Sequence, residues 1–276
     1  MLGKLVRFIR SGNSSPASHP LLTRIEVAIG NGINEAPGYA ERLLPATQKA
    51  LEYFERQIAA IPGPDPLATG PLFEGTDQIS HALGRSLAVK EAMKELPADG
   101  EVHALLGLRL KTVNGNPPHL ADHTLRSLAD SADACREKLC LAAFDRLLCN
   151  FAYHVEKLKR QDQKQAVAWD WDLQHDSAKM AANETRPPSV KTTKELTPDN
   201  LASGLLSWLA APECFLRMEG AKNSLRTRND PEATRHMPLL HCSDRRQWYV
   251  CLVSFPAAEA AAALKRETHN HRYILI

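Results

Sequence analysis

Two histidines four residues apart, His119 and His123 in PPHLADHTL with Asp122 beside the second, form the densest chemically capable group in this 276-residue chain. On a helix that spacing brings both imidazoles onto one face within reach of one divalent metal. The stretch lacks the glutamate next to the first histidine that completes the metalloprotease signature, no third ligand can be nominated, and Pro117-Pro118 unsettles the helical state of His119. His119 and His123 are thus the metal candidates of a metal-dependent enzyme reading. The competing reading makes them structural or surface histidines, and no cofactor is expected.

A second group, LLHCSDRRQW, holds His241, Cys242, Asp244, Arg245 and Arg246, and a third, THNHRY, holds His269 and His271. A cysteine beside a histidine in sequence is not a catalytic pair, which depends on the two meeting in space with the base oriented by a third group. Arg245 and Arg246 at the tip of a turn offer paired donors suited to a phosphate or carboxylate. Six cysteines occur, at no CxxC spacing. Cys135, Cys140 and Cys149 fall on one expected helix at successive offsets that turn them by about 140° and 180°, so they cannot share a metal. They are expected to be reduced, with Cys135 as core filler. No GxGxxG, Walker loop or GxSxG is present, which leaves nucleotide-binding and hydrolase readings unsupported.

Interaction surfaces are the alternative to chemistry. The opening MLGKLVRFIR, read as a helix, puts Leu2, Leu5, Phe8 and Ile9 on one side and spreads Lys4, Arg7 and Arg10 over the rest, until Gly12 and a Ser/Pro stretch end it. Such an arm folds back on its own domain, docks in a groove of a protein partner, or lies on an anionic membrane surface through residues 1–11. A helix this short holds a membrane only marginally, which favours the groove. Farther on, AWDWDLQHD alternates Trp169 and Trp171 with Asp170 and Asp172, the pattern of an edge strand, a docking segment or a tryptophan-sealed loop. Leu2, Leu5, Arg7, Phe8, Ile9, Arg10, Trp169, Trp171, Arg245 and Arg246 are the partner-binding candidates.

Charge adds little. Thirty-four basic residues face 32 acidic ones, a formal net charge of +2. A nucleic-acid binder would have to gather Arg226, Arg228, Arg235, Arg245 and Arg246 on one face, and nucleic acid is therefore an unfavoured partner. No run approaches the 18 apolar residues of a membrane span, so the cytoplasm is the expected compartment; the acid-poor, serine-containing start makes the mitochondrial matrix plausible in a eukaryote.

These residues need elements to position them. ATQKALEYFERQIAAI, after Pro45, sets Ala50, Leu51, Phe54, Ile58 and Ile61 at helical spacing, and PGPDP stops it. Pro62, Pro64, Pro66 and Pro71 describe a stiff, extended connection. A second helix is expected from Thr76 or Asp77 with Ile79, Leu83, Leu87 and Met93 inside. EVHALLGLRLKTV is ambiguous between buried helix and strand, with Asn114-Gly115 tilting it towards strand and turn. The longest helix is expected from about Leu128 to about Arg160, and the proline-bearing KMAANETRPPSVKTTK after it is the best boundary.

Beyond that boundary Thr197, Pro198 and Asp199 mark a helix start. ECFLRMEG, MPLLHC and QWYVCLVSF read as strands, the last two a hairpin, and the last apolar on both alternating faces as a central strand must be. PAAEAAAALKRE then returns as a helix to RYILI, a strand parallel to the first. The expected fold is mainly α with a smaller C-terminal α+β domain, a β-hairpin plus a β-α-β crossover. Its expected parts are an arm and linker over 1–36, a helical domain over 37–178, a linker over 179–194 and the small domain over 195–276. The functional expectation is a non-catalytic interaction or adaptor protein, with the metal-dependent enzyme and the nucleic-acid-associated protein as alternatives.

Overall fold

The computed structural model describes residues 19–30, 32–67, 83, 87–111, 119–175, 196–220, 225–226, 234–235, 237–242 and 247–270. The expected arm, the 179–194 linker, the turn bearing Arg245 and Arg246, the start of the second helix, and the RYILI strand lie outside these residues. In chain order the elements are α1 (Pro20–Ile29), α2 (Tyr39–Ala59), β1 (Asp65–Pro66), α3 (Leu87–Lys94), β2 (Glu101–Lys111), β3 (His119–Ala129), α4 (Ala132–His175), α5 (Pro198–Leu209), β4 (Leu216–Glu219), β5 (Leu225–Arg226), β6 (Thr234–Arg235), β7 (Leu239–Cys242), β8 (Gln247–Pro256) and α6 (Ala257–Asn270). The chain is a mixed α+β protein, with a six-stranded sheet and a separate β5–β6 pair among the described residues. It divides into two units, each drawn from separated segments: the described residues of 52–143 and 213–270, and those of 19–51 and 144–212.

The first unit holds the sheet, in the order β3-β2-β8-β7-β4 with β1 beside β8. β8 is the central strand. β2 runs antiparallel along one side of it, from Glu101↔Pro256 to Leu108↔Tyr249. On its other side lie β7, from Leu239↔Tyr249 to His241↔Gln247, and β1, parallel at Asp65↔Val253. Both faces of β8 are apolar because both are covered. Val102, Ala104, Leu106 and Leu108 join Cys251, Val253 and Phe255 in one buried face, packed against Val89 of α3 and Ala257, Ala260 and Ala263 of α6. Leu105, Val250, Leu252 and Ser254, which alternate to the opposite face, are buried as well. Each large side chain so buried contributes about 1.5–3 kcal/mol.

Three expectations change here. The ambiguous EVHALLGLRLK is strand, and it belongs to the same sheet as the C-terminal hairpin, so the segment 37–178 is not helical throughout. The proline-rich connection after α2 is a sheet element: Leu252 N–H donates to the Pro62 carbonyl at 2.8 Å, and Leu67 N–H donates to the Ser254 carbonyl at 2.8 Å. Gly63 permits this approach at φ 106°, since a Cβ there would stand 2.3 Å from the Leu252 carbonyl oxygen. Finally, the described part of PPHLADHTL, from His119 on, is strand and not helix. His119 and His123 lie on β3, whose pairing with β2 shifts register twice, and Ser127, beside one shift, takes φ 55°.

Leu128 also belongs to β3, and α4 begins at Ala132, where the Ser131 hydroxyl accepts from Ala134 N–H at 3.2 Å.

In the second unit, α1 is capped by His19, whose Nδ1 accepts from Leu21 N–H at 3.3 Å, and its buried stripe is Leu21, Leu22, Ile25 and Ile29. α2 starts at Tyr39, ahead of the expected Pro45, which sits inside the helix. A proline there removes one backbone bond, but Tyr39 and Leu43 are buried in the turns around it and hold them helical. α5 begins as its sequence indicates, with Thr197 Oγ1 accepting from Asn200 N–H at 3.3 Å and Pro198 in its first turn. Arg24 makes a two-pronged ion pair with Asp145 at 2.8 and 2.7 Å, Arg42 pairs with Asp199, and Trp208 meets Phe151 edge-on at 5.2 Å. No helix among the described residues is long and apolar enough to cross a membrane.

Candidate functional site

Antiparallel pairing across β4, β7 and β8 gathers a side-chain arrangement that resembles an acid–base relay. Arg217, His241 and Gln247 share a rung of the ladder, and Glu219 sits on the next rung opposite Leu239, diagonal to the histidine. His241 Nε2 lies 2.9 Å from Glu219 Oε2, and its Nδ1 lies 3.4 Å from Gln247 Nε2. One neutral tautomer satisfies both contacts: Nε2–H donates to the carboxylate while Nδ1 accepts from the amide. A carboxylate-held imidazole is the orienting half of a catalytic relay, but a relay keeps the other nitrogen for substrate. Here both nitrogens face the protein's own side chains. The cluster joins three strands.

Of LLHCSDRRQW, therefore, His241 finds a carboxylate partner that the sequence did not nominate. Cys242 alternates to the other face of β7. Asp244, Arg245 and Arg246 fall outside the described residues. On that opposite face Trp248 lies beside Gly107, and the Arg109 guanidinium sits 5.5 Å from the indole centroid. The arrangement supplies a cation–π contact and covers the glycine.

The metal reading loses its geometric premise. On a strand, positions four apart are separated by about 13 Å, so the single helical turn that would bring His119 and His123 to one ion is absent. No group of three or more His, Cys, Asp or Glu suited to an ion occurs among the described residues.

The thiols divide by burial. None of the six is in a disulfide; Cys135, Cys140 and Cys251 are buried, and Cys149 and Cys214 are exposed. Burial pushes the Cys135 thiol up to about 12, and burial with the nearby carboxylates of Glu55 and Glu137 does the same to Cys140. Both are protonated at neutral pH and are poor nucleophiles, as expected of core filler.

The long helix carries the remaining described candidates. Trp169 and Trp171 lie within α4, so AWDWDLQH, as far as His175, is helix and neither strand nor loop. Among the side chains described on α4, the buried ones are Cys135, Cys140, Phe144, Leu147, Leu148, Phe151 and Val155. Beyond Val155, Glu156, Lys157, Arg160 and Gln161 are exposed and Leu158 and Lys159 half-buried. The helix nonetheless continues to His175, about 30 Å farther. Arg226 and Arg235 lie on the β5–β6 pair, while Arg228 and the arm residues Leu2, Leu5, Arg7, Phe8, Ile9 and Arg10 lie outside the described residues. Comparison with protein-family models, with curated proteins and with solved structures returns no match to this chain.

Proposed function

We propose that this chain is a non-catalytic interaction protein, an adaptor that docks a protein partner through the part of α4 that follows Val155. The observation behind the reading is that the helix runs on to His175 although its buried stripe, as far as side chains are described, ends at Val155. Helices in proteins owe most of their stability to packing of an apolar face, and a helical segment without such packing is marginal in water. A partner groove supplies that packing. The sequence of this stretch includes Val167, Trp169, Trp171 and Leu173, and tryptophan is the residue type most enriched among interface hot spots. Both ring nitrogens of His241 are engaged within the sheet, so that histidine does not compete as a reactive centre.

The test compares the full chain, its W169A/W171A variant and a chain lacking residues 1–12. Each is used to recover partners from native lysate, and the recovered protein is then purified and titrated against all three. A stoichiometric partner whose affinity falls about thirtyfold or more for W169A/W171A, at an unchanged unfolding midpoint, supports the reading. Equal affinity for that variant overturns it. Weakened binding by the truncated chain alone would move the docking element to the amino-terminal arm.

A further inference from the structure

We draw no further inference here: the strongest candidate, the buried His103 Nδ1 and Arg136 Nε that lack hydrogen-bond partners near the first turn of α4, carries nothing because it rests on a helix N-terminus flanked by two side chains that are each still partly exposed, at 13% and 16%, with no second sign of a ligand.

Discussion

From Ala132 to Val155, α4 buries seven side chains, several of them without measurable exposure. From Glu156 to Gln161 the same helix shows four exposed and two half-buried positions, yet its backbone stays helical as far as His175. The first stretch is explained by its own protein: Phe144, Leu147, Leu148 and Phe151 repeat at three- and four-residue spacing, and burial of that stripe outweighs the entropy of ordering it. Among the described side chains of the later stretch, Glu156 to Gln161, no position is buried. A Glu156–Lys159 ion pair at 2.8 Å supports this stretch, but Glu156 is exposed and Lys159 only half-buried, and such surface pairs add little. The contrast sets a stretch held by its own buried stripe against one whose described side chains, Glu156 to Gln161, bury none, and the proposed docking accounts for the second.

The following measurements would break or sharpen that contrast. The largest effect belongs to Phe144→Ala, expected to cost about 3–5 kcal/mol in denaturant unfolding because a fully buried ring leaves a cavity. The matched change past Val155, Leu158→Ala, should cost about 1 kcal/mol or less; equal losses would erase the difference between the stretches.

Next come the thiols. Cys135 and Cys140 hold folded pKa values of about 12, above the 8.5 of an unfolded cysteine. Their contribution to stability is therefore complete below about pH 8.5 and is lost as pH rises towards 12, because the unfolded chain gives up those protons first. The expected slope is roughly −1.4 kcal/mol per pH unit for each thiol in that window, and replacing both by alanine removes that part of the pH dependence. A thiol reagent should label exposed Cys149 in the native protein and reach Cys135 and Cys140 only on unfolding. Rapid native labelling of either buried thiol would show that the inner part of α4 is not closed.

Within the second unit, Thr47 is wholly buried and its hydroxyl has no hydrogen-bond partner. Thr47→Val should raise stability by about 1 kcal/mol, since it removes an unsatisfied polar group at nearly constant volume. A loss of that size would reveal a partner for the hydroxyl. Ser127 offers a smaller gain: glycine at φ 55° relieves left-handed strain, and Ser127→Gly should stabilise by up to about 1 kcal/mol, less the entropy glycine adds to the unfolded chain. The smallest effect is expected of W169A/W171A, under about 0.5 kcal/mol in the isolated protein.

Legibility in the sequence followed the range of the interactions. β8 was readable because Tyr249, Cys251, Val253 and Phe255 and the alternate Trp248, Val250 and Leu252 are all apolar. α5 was readable because Thr197, Pro198 and Asp199 state a helix start locally. β2 stayed ambiguous for the reason that made β8 clear: burial on both faces removes the alternation that separates strand from helix. Four-residue spacing between His119 and His123 fits one face of a helix or of a strand, so the spacing alone did not reveal β3. The pairing of Asp65 and Pro66 with Val253 and Ser254 uses backbone groups far apart in the chain, which no side-chain pattern records. Glu219 was missed for a related reason: its nearness to His241 is fixed by the β4–β7 register rather than by spacing along the chain.

The central proposal is that α4 past Val155 is kept for a partner and not packed by its own protein. Residue-resolved amide hydrogen exchange along α4 in the isolated full chain tests this most directly. Protection should hold from about Cys140 to Val155 and then fall by at least about a hundredfold towards His175, as local opening without buried contacts requires. A profile equally protected to His175 would contradict the claim, because the far end of the helix would already be held by the chain itself.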